Sequence, residues 1–338
     1  MVMLLISGCT NRKETSIFSN HKAVALSHAK HFEVQEFQDG FKLHVFNPWQ
    51  GAEDIVFTYI LTNQKSASEK TGDITFIPFP VDNVICLSTT HIAFLDAINQ
   101  TRTITALSGS KYVYNKEIRE KLEKNKVLDV GFQEQLNYEL ILSLEPDVVF
   151  AYGINSQNLG YYQKIQEMGI PVVFIAEYLE QSPLGKAEWI KFVSTFFDAL
   201  PAASKFYRNI RTNYKKLDSL TDSVKNRPVI MAGLPFQGTW YVSGANTNLA
   251  TFIHDAGGEY LWKNLTGSDV YPMELEHVFA RSDEADLWIN PGSARTLKEV
   301  VSVDERLASF HTFDLNKIYN NNARQHPAGG NDYFESGV

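Results

Sequence analysis

The chain is 338 residues long, 44% hydrophobic and 21% charged, with a formal net charge of -8 and both signs mixed along it. That length suits two lobes of roughly 120 residues each better than one core. The acidic balance argues against a nucleic-acid partner, which needs a basic face, and against a polybasic grip on a membrane surface.

The chain opens on a short apolar run, Met1 to Ile6, followed by Ser7-Gly8-Cys9 and then polar Thr10-Asn11-Arg12-Lys13-Glu14. This resembles a bacterial lipoprotein signal cut before Cys9, whose new N-terminal cysteine carries acyl chains. No other segment reaches the roughly 18 apolar residues that span a bilayer, so the expected membrane attachment is a lipid anchor only. The second cysteine, Cys86, sits in the apolar run Asn83 to Leu87 and reads as a small buried hydrophobe. Two sulfurs in such different settings make neither a disulfide framework nor a thiolate metal site.

Residues 1–23 read as signal remnant and tether. Over 24–77 the pattern is β: Phe32, Val34 and Phe37, an Asp39-Gly40 turn, then Phe41, Leu43 and Val45, a hairpin signal. Asn47-Pro48-Trp49 ends that hairpin and 55–61 reads as a third strand. From 78 to 185 short apolar strands (84–87, 104–107, 127–130, 147–152, 171–176) alternate with helical stretches, which implies a parallel sheet covered on both faces. Residues 186–224 show helical pattern without a strand and read as a linker, with Pro201 starting its second piece. The α/β rhythm resumes over 225–338, with strands at 228–232, 240–242, 286–290 and 317–320. A faint echo links the blocks: a Glu-opened helix feeds a buried strand at Glu139 to Phe150 and again at Glu276 to Ile289. The expected fold is α/β, with two Rossmann-like lobes joined by a helical linker and an N-terminal antiparallel β extension.

The segment Asn137-Tyr138-Glu139-Leu140-Ile141-Leu142-Ser143-Leu144-Glu145-Pro146-Asp147-Val148-Val149 resembles a signature of the periplasmic binding proteins of ABC importers for siderophores, haem and cobalamin. Met168 to Val173 resembles the next element of that family, and Ala256-Gly257-Gly258 with Glu276-His277-Val278 resembles its second lobe. Pro183-Leu184-Gly185-Lys186-Ala187-Glu188-Trp189 and Gly330 to Gly337 look like markers of a lipoprotein clade with an N-terminal strand extension. The resemblance implies a monomeric lipoprotein of the periplasm or cell envelope that captures a metal chelate and hands it to a dimeric permease with its ATPase. It also implies that Glu139 and Glu276, one at the tip of each lobe, dock onto permease arginines; the plainer alternative is that each gains from its helix dipole. Relatives continue past the last motif into C-terminal helices, so a chain stopping at Val338 is expected to lack part of its second lobe.

Ligands in open α/β sheets collect beyond the carboxyl ends of the strands and at lobe interfaces. That rule selects Thr89, Thr90 and His91 after the first strand, Gln133 and Gln135 after the third, Tyr152 after the fourth, and Glu177 and Tyr178 after the fifth. In the second lobe it selects Gln237, Trp240 and Tyr271. Aromatic faces and amides suit a bulky planar or macrocyclic chelate. The bland alternative for Thr89 and Thr90 is helix capping, and for Tyr152 and Trp240 a place in the core. His28 and His31 are the histidines nearest to metal spacing, but no HExxH occurs, so any metal is expected inside its chelate, with no resident cofactor. G-x-S-x-G, G-x-G-x-x-G and P-loop motifs are absent from the sequence, which favours a non-enzyme. An envelope enzyme acting on a tetrapyrrole or glycan and an adhesion lipoprotein remain the readings from other classes.

Overall fold

A computed structural model describes residues 21–63, 74–132, 135–153 and 159–336; Cys9 and Gln133 lie outside them. The extension is a five-stranded sheet of β1 (Lys22–Ala23), β2 (Phe32–Phe37), β3 (Gly40–Phe46), β4 (Val56–Thr62) and β5 (Ile74–Pro78), paired in that order. The Asp39-Gly40 hairpin forms as the sequence predicts, and only glycine fits at 40, because a Cβ there would collide with the Leu61 carbonyl. Strands β1 to β4 are antiparallel, whereas β5 joins β4 in parallel, so the extension is mixed rather than purely antiparallel.

The first lobe follows as β6 (Val84–Cys86), α1 (Thr89–Ala97), β7 (Ile104–Leu107), α2 (Lys116–Glu123), β8 (Leu128–Asp129), α3 (Tyr138–Ser143), β9 (Val148–Ala151), α4 (Leu159–Glu167) and β10 (Val172–Phe174). Its strands run parallel in the order β10-β9-β6-β7-β8. Strands β6, β9 and β10 are buried on both faces, as their unbroken apolar runs require.

Two helices connect the lobes, α5 (Pro183–Thr195) and α6 (Leu200–Asp218). Ser182 caps α5 by accepting from Gly185 N at 3.0 Å, and Pro183 starts it. This helix is buried almost throughout, wedged between the extension and the first lobe, which share one hydrophobic core with it. Helix α6 spans about 28 Å. Its early residues Ala203 and Tyr207 belong to that first core, and its later Tyr214 donates to Asp255 of the second lobe at 2.8 Å.

The second lobe comprises β11 (Val229–Ala232), β12 (Thr239–Ser243), α7 (Asn248–Asp255), β13 (Glu259–Tyr260), β14 (Val270–Glu274), α8 (Leu275–Ser282), β15 (Leu287–Ile289), α9 (Leu297–Val301), α10 (His311–Asp314) and β16 (Ile318–Tyr319). A parallel sheet β13-β11-β15-β16 carries a separate antiparallel ladder of β12 with β14. Its core is its own, built around Trp240, Trp288 and Phe310 with ring centroids 5.4 to 6.3 Å apart.

The echo between the blocks is structural. Asp147 at the start of β9 accepts from Asp82 N and Asn83 N, just before β6, at 2.8 and 3.0 Å. Asp286 at the start of β15 accepts from Val229 N, the start of β11, at 2.7 Å. Each aspartate locks the start of one central strand to its neighbour, and each follows a helix whose first turn holds Glu139 or Glu276.

After β16 the chain leaves the second lobe. Helix α11 (Asp332–Ser336) packs on α1 of the first lobe, and Glu335 accepts from Tyr114 N and Asn115 N at 2.6 and 2.7 Å. This corrects the assignment of 225–338 as one unit: the last residues belong to the first lobe, drawn there by a buried carboxylate that satisfies two otherwise free amides.

Candidate ligand cleft

The strand order of the first lobe fixes the order of its carboxyl-end loops: 175–181, then Tyr152-Gly153, Ser88 to Thr90, Ser108 to Tyr112, and Val130 to Phe132 with Gln135. Five strands make this rim about 20 Å long. Ser88, rather than either threonine, caps α1; Thr90 bonds Ser88 Oγ at 3.0 Å and the Glu177 carboxyl. Thr89, Thr90 and Tyr152 are half-buried along this rim and Gln135 is exposed.

Among the described residues, two concavities on this rim stand out. At the β7–β8 end a shelf of 540 Å3 is lined by Gly109 to Tyr112, Asp129, Gly131, Phe132 and Gln135. Tyr112 and Phe132 stand there 45% and 41% exposed with ring centroids 6.2 Å apart, an aromatic pair that the sequence reading missed. At the β10 end a cleft of 390 Å3 lies between the lobes, with Tyr178 to Gln181 on the first side and Ser243, Asn246 to Leu249 and Ser268 to Val270 on the second. Its third side is the β3–β4 loop of the extension, Asn47 and Trp49 to Ala52. Gln50 Nε2 donates across it to Asp269 Oδ1 at 3.0 Å, and Thr251 Oγ1 donates to the Gln181 carbonyl at 2.8 Å. Tyr178 donates to the Gly153 carbonyl, which fixes its ring beside the cleft; burial pushes its hydroxyl pKa up. At the shelf end the chain returning from β16 meets Arg295 through Gln325 at 3.1 Å and passes so close to the first lobe that a Cβ on Gly330 would collide with the Val113 carbonyl.

Three predicted ligand contacts are corrected. His91 is 0% exposed, edge-on to Phe150 at 6.1 Å, and neither ring nitrogen has a hydrogen-bond partner. Burial drives its pKa down to about 3, against a weaker opposing influence of the Phe150 backbone. Trp240 is also 0% exposed and donates to the Ala232 carbonyl at 3.1 Å inside the second core. Glu177 is 4% exposed under the rim, its pKa raised by burial and its Oε2 without a partner. Of the second-lobe candidates, Gln237 is exposed at a φ of 50° in the Phe236–Thr239 turn after β11, and Tyr271 is half-buried with its hydroxyl donating to the Thr266 carbonyl at 2.9 Å.

Glu139 and Glu276 are both exposed at the first turns of α3 and α8. Glu276 pairs with Arg306 at 3.2 Å, and hydrogen bonds from its own backbone and from Arg306 lower its pKa. Among the described residues no cluster of three or more His, Cys, Asp or Glu side chains could hold a metal ion, and no helix is long and apolar enough to cross a membrane.

A sequence profile described as periplasmic binding protein matches residues 84–322. The chain belongs to the periplasmic binding protein family. The resemblance read from the sequence therefore holds, and the match covers both lobes of this binding protein while leaving the strand extension outside it. An uncharacterized lipoprotein of Methanocaldococcus jannaschii is 29% identical over 100% of this chain and 87% of its own length. A second such lipoprotein of that organism is 23% identical over 79% of the chain and 71% of its own length.

Solved structures share the fold. A periplasmic heme-binding protein of a Roseiflexus species has a TM-score of 0.56 at 19% identity, covering 76% of this chain and 92% of that one. A protein of an ABC-type Fe3+-hydroxamate transport system from Saccharomonospora viridis scores 0.55 at 17% identity, with 72% and 86% covered. A periplasmic vitamin B12 binding protein of Vibrio cholerae scores 0.53 at 15%, with 73% and 90% covered.

Proposed function

We propose that this binding protein is the substrate-binding lipoprotein of an ABC importer, anchored through Cys9 in the periplasm or cell envelope, which captures a metal chelate and delivers it unaltered. The observation that carries the reading is the pair of α/β lobes with separate cores meeting at a cleft beyond the carboxyl ends of the first sheet. The cleft and the shelf fall in the size range of small-molecule sites, and their exposed aromatics and amides match a bulky chelate such as a ferric siderophore or cobalamin, with haem a poorer match.

The chain crosses between lobes twice, through α5–α6 and again after β16, so capture involves a small closure rather than a wide swing. The loaded monomer then meets a permease dimer through Glu139 and Glu276, which occupy equivalent helix starts in the two lobes. Reconstituting the permease and its ATPase in liposomes tests this reading. Uptake of a retained chelate should require this chain, and equal uptake without it would contradict the proposal.

A further inference from the structure

We propose that the strand extension is a third wall of the ligand cleft, its 47–52 loop forming with the second lobe a subsite for an uncharged, hydrogen-bonding arm of the chelate. The inference rests on the capture reading above and adds to it a part of the chain that the family match, which begins at residue 84, does not include.

The loop is built to hold a position. Asn47, at a φ of 46°, closes its neck: its N–H donates to Ile55 O at 2.8 Å and its Oδ1 accepts from Ile55 N at 3.0 Å. Ala52 N donates to Trp49 O at 3.1 Å, tightening the tip. Trp49, 7% exposed, wedges against Phe57 and Phe174 with centroids 6.1 and 6.4 Å away. Gly153 leaves room for that indole, since a Cβ there would sit 3.2 Å from Trp49 Cβ. Seated on the first lobe, the loop reaches the second through Gln50 and Asp269.

The chemistry of the subsite is that of amides and hydroxyls. Gln181, Ser243, Asn246 and Asn248 line it, and no Lys or Arg is among its described lining residues. Asn248 Nδ2 is buried behind the lining without a hydrogen-bond partner, so a ligand oxygen would satisfy it once that side chain turns toward the cleft. The two carboxylates of the lining are Asp269 and Glu180, and the latter already accepts from Lys30 N, His31 N and Trp189 Nε1. His31 is the one basic side chain of the described lining, and its Nδ1 is engaged by the Phe46 carbonyl at 3.2 Å. An anionic arm would therefore meet two carboxylates with no lysine or arginine to offset its lost hydration, whereas a carbonyl, amide or hydroxyl arm meets matching partners.

Equilibrium dialysis of the full chain tests this with cyanocobalamin, a neutral ferric trihydroxamate, an anionic ferric tris-catecholate and haemin. The wild-type chain should retain a neutral probe in preference to the anionic ones. Ala52→Trp, which fills the subsite, should weaken that retention about 10-fold or more, and Gln50→Ala should weaken it several-fold, with circular dichroism unchanged. Unchanged affinity in both variants would overturn the third wall while leaving capture intact, and this holds for Gln50→Ala alone if Ala52→Trp fails to fold. Preference for an anionic probe would overturn the uncharged arm. Retention of no probe at all would remove the capture reading and this inference with it.

Discussion

Glu188 Oε2 accepts the backbone N–H of His28 at 2.7 Å, joining residues 160 positions apart through a carboxylate that is 0% exposed. Ser27 N and Ala29 N bind the same carboxylate, and Lys191 Nζ pairs with it at 2.7 Å while donating to Ala25 O at 2.9 Å. Glu180 repeats the device with Lys30 N and His31 N. The extension is thus moored to α5 and to the turn just before it by two buried carboxyl side chains whose partners are mostly amides of one short segment.

Removing one partner of such a pair leaves the others uncompensated, so Glu188→Ala should lower the unfolding free energy by about 3–5 kcal/mol. Burial by itself would raise the Glu188 pKa, but Lys191 and the Ala29 and His28 amides outweigh it and hold it below the usual carboxylate range. A depressed native pKa contributes stability that is present above the unfolded value and lost as pH falls through the native one. Urea titrations at pH 7 and at pH 3 check both points: the gap between wild type and variant should shrink in acid. A loss under about 1 kcal/mol at pH 7 would contradict the mooring.

Glu335 predicts the opposite slope. It is 2% exposed, and burial lifts its pKa to about 7 despite the Tyr114 and Asn115 amides that favour the anion. Stability from its neutral form is complete below the unfolded carboxyl value and disappears as pH rises through about 7. Hydrogen exchange at Tyr114 and Asn115 should accelerate between pH 5 and 8 beyond the intrinsic rise, and Glu335→Gln should remove the excess. An equal excess in the variant would show that another group governs α11.

His91 should be dispensable for binding. Its native pKa of about 3 means that the folded state refuses a proton the unfolded chain takes below about 6.5, so stability declines as pH falls between those values. His91→Leu removes two unpartnered nitrogens from the core, so its melting temperature should match or exceed that of wild type, most clearly near pH 5, with ligand affinity unchanged. Weaker ligand retention by this variant would restore His91 to the cleft.

Charge reversal at Glu139 and Glu276 together should abolish ligand-stimulated ATP hydrolysis by the reconstituted permease and leave ligand affinity as it was, because both side chains are exposed away from any buried contact. Arg306 keeps its Asp304 partner when Glu276 is replaced, so the fold should not suffer. Stimulation that survives the double reversal would exclude the docking role.

The central parallel strands of both lobes were legible because buried strands leave unbroken apolar runs, as at Val148 to Ala151, but the two-residue edge strand β13 left no such run. Strand β14 was not legible either, because Pro272 at its centre argues against a strand; proline is tolerated in a two-stranded ladder, where each strand keeps one free edge. The mistake at Trp240 had a readable signal: Trp240 and Val242 are buried on either side of exposed Tyr241, the period-2 pattern of a half-buried strand. Glu188 looked like a clade marker only and Lys191 like part of a helical stretch, since what they hold, the backbone of residues 25 to 29, lies more than 150 positions away. The loop at 47–52 read as the end of a hairpin because nothing local says that its tip meets Asp269.

Capture of an unaltered guest is the claim on which the functional account stands, and native mass spectrometry of the purified chain after exposure to mixed siderophores, cobalamins and haem addresses it most directly. The account predicts a single 1:1 complex from which denaturation releases the chelate at its original mass. A guest recovered at a changed mass, or a chain that emerges bare from every mixture, would contradict it.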